Sequence, residues 1–224
     1  MKRMENENSV ILVCKNLTYH LNCAQQAAGT DFPVIELDTS LHAEPEKMRE
    51  KILEEIDKIP PEYSTVLVAM GFCGGSWKDV SVSRRIVIPR MDDCITILLT
   101  TTDKSISNLK HTGIMYLTDN RDDEMTIPGI LSKMLEKYGE KRGRKLFQVY
   151  FDAYHQVSVI DTGAYDSYSP EMTAYAEHSA DLIEATVDHV PGSNRVLQKL
   201  VTGDWDDQFL VLEPGETMAE EDFF

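Results

Sequence analysis

Basic residues are scarce in this sequence. It has 22 Lys and Arg against 38 Asp and Glu, so its 224 residues carry a formal net charge of -16. Nonspecific binding of DNA, RNA or anionic lipid needs Lys and Arg clustered against phosphates, so we expect neither a nucleic-acid nor a membrane partner. No apolar run approaches the ~18 to 20 residues of a membrane span, and no apolar signal core follows the first eight residues. These absences predict a cytoplasmic protein.

Several familiar binding motifs are also missing. The sequence has no Cys-x-x-Cys pair, no Gly-x-Gly-x-x-Gly dinucleotide motif and no Gly-Lys-Ser/Thr phosphate loop. Four cysteines are too few for a secreted disulfide scaffold of this length, so a reducing compartment would keep them as thiols or metal ligands. One of them, Cys23, falls inside a predicted helix and is interpreted as a core residue.

Apolar strands and helices alternate along the chain. Residues 10–13 and 65–70 read as buried parallel strands, and residues 44–59 carry apolar side chains near a 3.6-residue period, which predicts an amphipathic helix. A similar alternation starts again at Ile114. The pattern predicts an α/β protein with mostly parallel sheets flanked by helices.

The restart of this alternation suggests two Rossmann-like lobes. We assign residues 1–110 to an N-terminal lobe and residues 111–224 to a C-terminal α/β lobe, the two packing as one compact unit. A pseudo-duplication of the lobes is one interpretation of the shared rhythm, although no residue-level repeat supports it.

Cys14, Cys73 and Cys94 each follow a predicted apolar strand. Ligands of open α/β sheets bind beyond the carboxyl ends of the strands, so these thiols could converge on one point. Three thiolates suit zinc, an iron–sulfur cluster or another thiophilic metal, with His20 or Asp93 as a candidate fourth ligand. For each cysteine taken alone, packing as a small hydrophobic residue is the alternative.

A glycine-rich turn surrounds Cys73. Gly71, Gly74 and Gly75 would let backbone amides approach a ligand closely, or would let the chain adopt positive φ. We therefore treat these glycines as candidate cofactor-binding residues. A purely structural tight turn is the alternative.

The turn before Cys94 combines charges of both signs. Arg90, Asp92 and Asp93 precede the thiol at a predicted strand-to-helix junction. Asp93 is an acceptable N-cap residue, and a thiol at a helix start has its thiolate favoured. Arg90 and Asp93 are thus candidates for orienting a ligand, unless Arg90 simply pairs with a neighbouring carboxylate and fixes the turn.

Another polar strand end lies in the second half. Asp161 ends a predicted strand and is followed by Thr162 and Gly163. Asp161 is a further candidate for orienting a ligand, and Thr162 and Gly163 are candidate cofactor-binding residues. A helix cap or an Asx-turn explains the same residues without a ligand.

Seven segments together carry a family resemblance: GFCGG at 71–75, IPRMDDC at 88–94, YLT at 116–118, IDTG at 160–163, GDW at 203–205, FLV at 209–211 and PG at 214–215. They resemble an uncharacterised domain-of-unknown-function family of methanogenic archaea and anaerobic bacteria, over nearly the whole chain. That family often accompanies corrinoid-dependent methyltransferase systems. The resemblance implies no established activity. It does imply a setting in anaerobic one-carbon metabolism, with a corrinoid as a cofactor and a corrinoid protein or methyltransferase as a partner.

These observations leave three hypotheses. The leading one is a metal- or iron–sulfur-binding protein whose site is formed by Cys14, Cys73 and Cys94, acting in corrinoid-linked methyl transfer. The second is a non-catalytic accessory module that binds a small molecule, an organic anion, in the same strand-end crevice. The third is a redox-active thiol protein.

Overall fold

The computed structural model describes residues 8–121 and 124–224. Residues 1–7, for which the sequence predicts no secretion signal, and residues 122 and 123 lie outside the described part. The chain forms two compact units. Unit 1 contains residues 8–109 together with Ser193–Phe224, and unit 2 contains Lys110–Gly192.

The regular elements of the described residues alternate as the sequence predicts. The strands are β1 (Ser9–Cys14), β2 (Val34–Leu37), β3 (Thr65–Ala69), β4 (Arg85–Pro89), β5 (Ile114–Leu117), β6 (Gln156–Asp161), β7 (Thr186–Pro191) and β8 (Phe209–Leu212). The α-helices are α1 (Thr18–Ala28), α2 (Pro45–Lys58), α3 (Cys94–Leu99), α4 (Ile127–Tyr138), α5 (Glu140–Phe151), α6 (Pro170–Ile183) and α7 (Arg195–Thr202).

Unit 1 is built on a five-stranded sheet in the order β2-β1-β3-β4-β8. The first four strands are parallel, and β8 runs antiparallel to β4. Every residue of β1 and β3 is buried, because helices cover both faces of the sheet. Leu12 and Val68 pack in one core with Met48 and Ile52 of α2. On the other side, α7 packs against α1, β3 and β4.

Helix α2 has the predicted amphipathic pattern, with Met48, Ile52 and Ile56 buried. Its end is held by Arg84, whose guanidinium donates to the carbonyl of Ile59 at 2.5 Å. The same guanidinium donates to the carbonyl of Tyr63 at 2.6 Å. Because Arg84 directly precedes β4, these bonds fix the start of the strand that leads to Cys94.

Unit 2 contains a parallel sheet in the order β5-β6-β7. Its core joins Val157 and Val159 of β6 to Phe147 and Phe151 of α5 and to Met172 of α6. Helices α4 and α6 begin at hydroxyl caps, Thr126 and Ser169.

The predicted α/β class with mostly parallel, helix-flanked sheets is confirmed. The structure divides the chain differently from the two predicted lobes. The sequence prediction assigns residues 193–224 to the second lobe. In the structure β8 pairs with β4 and α7 packs on α1, so this segment belongs to unit 1. An apolar pattern identifies a strand but does not name the strand it will pair with. Within the described residues, no helix has the length and apolar character needed to cross a membrane.

Candidate functional site

The connections of the first sheet change direction between β1 and β3. From β1 the chain passes to β2 on one side and then crosses back to β3 on the other. The loops that leave β1 and β3 therefore diverge and open a crevice at the carboxyl edge of the sheet. Ligands of open α/β sheets bind at such switch points. Cys14 is the last residue of β1, and Cys73 follows β3 at the same edge.

A histidine, His42, lies beside the three thiols singled out by the strand ends. His42 is hydrogen-bonded to the thiol of Cys73, and its Nε2 atom lies 3.8 Å from Cys14 Sγ. Cys94 in turn is hydrogen-bonded to Cys14. We call Cys14, His42, Cys73 and Cys94 the thiol–imidazole cluster. Its members follow the carboxyl ends of four adjacent parallel strands, β1, β2, β3 and β4.

His42 is the residue that sequence reasoning missed. It lies in a short 3₁₀ turn, Thr39–Ala43, directly after β2. The same signal that singles out the cysteines, a position just beyond a predicted strand, could have identified it. His20, the predicted fourth-ligand candidate, instead lies fully buried within α1, where its carbonyl accepts a hydrogen bond from Asn194 Nδ2 at 2.8 Å.

Burial holds protons on two of the thiols. Cys73 is only 6% exposed, and desolvation raises its pKa despite the hydrogen bond from His42, which acts in the opposite direction. The pKa of Cys94 is raised well above its ordinary value, first because its thiol donates to Cys14 and then because it is buried. The negative charge of Asp93 adds to this effect. Without a cation nearby, the cluster therefore favours thiols over thiolates.

His42 is oriented towards the sulfur atoms by its own loop. Its Nδ1 atom lies 3.0 Å from the carbonyl oxygen of Thr39, so Nδ1 carries a proton and Nε2 faces the thiols. Burial lowers the pKa of His42, but the hydrogen bond to Cys73 and the charges that Cys73 and Cys94 carry when they ionise raise it to about 9. A positive charge on the imidazole and a negative charge on sulfur thus stabilise each other.

Gly71 lets the loops after β3 and β4 touch. A Cβ atom at this position would lie 2.6 Å from the carbonyl oxygen of Met91 and 2.7 Å from the backbone nitrogen of Asp93. Two hydrogen bonds follow from the approach: Phe72 N–H donates to the Met91 carbonyl at 2.8 Å, and Cys73 N–H donates to the Asp92 carbonyl at 2.6 Å. This contact holds Cys73 beside the loop that carries Cys94.

The backbone at Cys73 is in an uncommon conformation. Its φ angle is +46°, and the next two residues, Gly74 and Gly75, have φ angles of +67° and +98°. An L-residue in the left-handed region costs about 1 to 2 kcal/mol, and such strain is concentrated at functional sites. The glycines make the rest of the turn accessible without further strain.

The carboxylate of Asp93 caps helix α3. Its Oδ1 atom accepts hydrogen bonds from the backbone N–H of Ile95 at 3.0 Å and of Thr96 at 3.1 Å. The capping interpretation of Asp93 is therefore confirmed, and the cap fixes the position of Cys94 as the first residue of the helix. Arg90 is half-buried and donates its backbone N–H to the carbonyl of Gln208 at 2.8 Å. A ligand-orienting role for either residue stays a prediction.

A pocket of about 650 Å³ adjoins the turn that follows Cys73. Its lining combines the turn at Gly74 and Gly75 and the start of α2 with three cations and three glutamates: Lys47, Arg49, Lys78, Glu44, Glu46 and Glu50. Arg49 donates to the carbonyl of Gly75 at 2.7 Å, which ties the turn to α2. The pocket gives a small molecule a place next to the cluster within unit 1.

The remaining predicted site residues lie in unit 2. Asp161 is the last residue of β6, and Thr162 Oγ1 accepts a hydrogen bond from the backbone N–H of Ala164 at 3.3 Å. Gly163 has a φ angle of +72°, so this segment forms the turn that its composition predicts. Burial, together with the charges of Asp119 and Asp161, raises the pKa of Tyr165. A cofactor-binding role for Thr162 and Gly163 stays a prediction.

The cluster is a hydrogen-bonded set of side chains. In residues 8–121 and 124–224, no group of three or more His, Cys, Asp or Glu side chains is already arranged to hold a metal ion. Its donor chemistry, three sulfurs and one imidazole nitrogen, is nevertheless that of a zinc site. Metal binding by Cys14, Cys73 and Cys94 therefore stays a prediction, now with His42 as a fourth donor.

Substitution of Gly71 tests the contact between the two loops. Gly71→Ala is expected to lower the unfolding temperature by about 3 to 10 °C, because a methyl group pressed against backbone atoms costs about 1 to 3 kcal/mol. Gly29→Ala is the control, since nothing lies within 4 Å of the Cβ position there and only its φ angle of +65° is unfavourable. An unchanged melting curve for Gly71→Ala would show that the loops do not touch.

Thiol reactivity tests the protonation of the cluster. In metal-free native protein at pH 7.5, Ellman's reagent should modify the half-buried Cys23 first. Cys73 and Cys94 should react at least about tenfold more slowly, because the thiolate is the nucleophile and both thiols are buried with raised pKa values. Cys23→Ser should remove the fast phase. A fast phase that persists and maps to Cys73 or Cys94 would contradict the assignment.

Comparison with known proteins gives a family but no activity. A family model described as "Protein of unknown function (DUF1638)" matches residues 36–201. No curated protein and no solved structure matches the chain. The match covers most of the chain and includes His42, Cys73 and Cys94. The chain therefore belongs to the DUF1638 family.

Proposed function

We propose that this DUF1638 protein binds a thiophilic divalent metal ion, zinc being the best match, through Cys14, His42, Cys73 and Cys94. The observation that carries the proposal is the cluster itself: His42 Nε2 lies 3.8 Å from Cys14 Sγ, His42 and Cys73 are close enough to shift each other's protonation, and Cys14 is close enough to shift that of Cys94. Three cysteines and one histidine form one of the common ligand sets of zinc.

The spacing of the donors supports this assignment. Zinc bonds of about 2.3 Å to sulfur and about 2.0 Å to nitrogen, at a tetrahedral angle, separate the two ligand atoms by about 3.5 Å. Cys14 Sγ and His42 Nε2 are 3.8 Å apart. Only a small closure of this pair is needed for both atoms to reach one ion.

The surroundings of His42 support it as well. Metal-bound histidines almost always donate their second ring N–H to a carbonyl or carboxylate, which fixes the tautomer and the ring orientation. The bond from His42 Nδ1 to the carbonyl of Thr39 has this arrangement. The backbone of the 3₁₀ turn thus directs Nε2 towards the sulfur atoms, where it can bind a metal once it has lost its proton.

An iron–sulfur cluster is the competing occupant. Most such clusters are held by four cysteine thiolates, although histidine replaces cysteine in some. The thiol–imidazole cluster offers three thiols and one imidazole, so it can bind zinc without an additional ligand.

Half-buried His42 is the zinc ligand that we expect an incoming thiol or water to displace. Its displacement would open a coordination position for chemistry. Corrinoid-dependent methyl transfer, implied by the resemblance, is the setting that we propose for that chemistry.

Two other functions use the same edge of the sheet. A non-catalytic module would hold a small organic anion in the pocket beside Gly74 and Gly75, and its ligand would raise the melting temperature even after Cys→Ser substitution. A redox-active protein would use the neighbouring Cys14 and Cys94, whose two thiols would form a disulfide. The two electrons and two protons released would reduce the disulfide of a partner molecule to two thiols. Mass spectrometry of alkylated protein distinguishes the Cys14–Cys94 disulfide from a metal-bound pair.

Metal content is the direct test of the proposal. Anaerobically purified protein, stripped with chelator and equilibrated with Zn²⁺, should bind about one equivalent. Cys14→Ser, Cys73→Ser and Cys94→Ser should each weaken binding by about 100-fold or more, and His42→Gln by about 10- to 100-fold, since each removes or impairs one ligand. Co²⁺ should give the absorption bands of a tetrahedral thiolate site.

Cys23→Ser is the matched control, because Cys23 lies in α1 outside the cluster, and it should bind as the unchanged protein does. Less than about a tenth of an equivalent of zinc, cobalt or iron after equilibration would rule out the metal site. If the purified protein is brown and contains about four irons together with labile sulfide, the occupant of the site is an iron–sulfur cluster and not zinc.

Proton release gives an independent measurement. Because the pKa values of Cys73 and Cys94 are raised in the metal-free protein, both are protonated at pH 7.5 and must lose their protons to bind Zn²⁺. Calorimetry in buffers of different ionisation enthalpy should detect release of at least two protons, and affinity should fall as the pH is lowered. Binding with no proton release and no pH dependence would contradict the involvement of these thiols.

A further inference from the structure

The helical hairpin of α4 and α5 concentrates positive charge in an acidic protein. Residues 133–145 contain six Lys or Arg and two Glu, a net charge of +4, whereas the whole chain carries -16. The hairpin lies in unit 2 and contains no member of the thiol–imidazole cluster. Its charge is therefore a feature that the proposed function does not use.

Two glycines give the hairpin a fixed shape. Gly139 alone separates α4 from α5, with φ +73° and ψ 166°, a conformation open in practice only to glycine. Gly143 brings the helices into close contact, since a Cβ atom there would lie 2.6 Å from the carbonyl oxygen of Met134. A rigid hairpin presents its outer face with little loss of entropy on binding.

The outer face combines cations with exposed apolar side chains. Arg142, Lys145 and Val149 follow at helical spacing on α5, and Val149 is 68% exposed. The guanidinium of Arg142 lies over the ring of Tyr138, 5.4 Å from its centroid. Lys141 and Lys145 form no ion pair with any residue in the described part of the chain. We call Tyr138, Lys141, Arg142, Lys145 and Val149 the hairpin face.

We propose that the hairpin face is a docking surface for another protein, one that presents a carboxylate-rich face around an apolar centre. Charge complementarity carries the choice of partner, because this short hairpin has a net charge of +4 in a chain of -16, with Tyr138 and Val149 among its cations. Aromatic and Arg side chains are the residues enriched at the centres of protein interfaces. A long polyanion such as nucleic acid would extend beyond the hairpin onto an acidic surface, which would repel it.

A defined acidic peptide provides the probe. We would measure the fluorescence anisotropy of a labelled amphipathic peptide with a glutamate-rich face and a leucine centre against the full-length protein. Lys141→Gln/Arg142→Gln/Lys145→Gln should weaken binding at least tenfold, and Val149→Ser about threefold, because the first removes the charges and the second the apolar contact. The same peptide with Gln for Glu should bind at least tenfold more weakly.

Lys51→Gln/Lys58→Gln/Lys104→Gln is the matched control, since it removes the same number of charges from unit 1, at half-buried Lys51 and exposed Lys58 and Lys104, and should change binding less than twofold. Peptide binding that is absent, or equal in the hairpin variant and the unchanged protein, would overturn the proposal. Tighter hairpin-dependent binding of single-stranded RNA, duplex DNA or phosphatidylglycerol vesicles would overturn it in favour of those partners. Self-association lost in the hairpin variant, measured by sedimentation, would replace the partner with a second copy.

Discussion

The approach of two backbone segments at Gly71 is the constraint on which the candidate site depends. Parallel pairing of β3 and β4 brings their carboxyl ends to one edge, but it leaves the following loops free to separate. The absence of a side chain at Gly71 lets the loops meet backbone to backbone, and hydrogen bonds from Phe72 and Cys73 lock the contact. The positive φ angle of Cys73 is maintained by this arrangement. A local steric fact, the missing Cβ atom, thus determines which sulfur atoms can share a site.

The electrostatics of the cluster follow from the same packing. Three thiols crowded under loops lose their hydration, so negative charge on sulfur becomes unfavourable unless a cation compensates it. His42 can supply part of that compensation, and its pKa rises to about 9 when the thiolates form. A divalent ion would supply more, because it interacts with every sulfur at once. The buried cluster therefore favours the binding of a cation, and this is how the fold supports the proposed function.

Much of this organisation is readable from the sequence, for identifiable reasons. The continuous apolar runs of β1 and β3 and the spacing of Met48, Ile52 and Ile56 in α2 are local signals, and they give the α/β class. The three cysteines stand out because each follows such a run. The pairing of β8 with β4 is a long-range choice that no local pattern encodes. His42 was missed because β2 is short and largely exposed, and because the turn after it carries no glycine motif to attract notice.

The path of the chain through the two units has a consequence for the order of synthesis. Unit 1 is interrupted after Leu109 and resumes only at Ser193, with α7 and β8 still to come. On the ribosome all four cluster residues emerge early, whereas the helix that covers β3 and the strand that closes the edge beyond β4 emerge last. Unit 2, which is continuous, can fold while the first sheet still exposes apolar surface. The nascent protein thus passes through a stage in which its thiols are present but only partly covered.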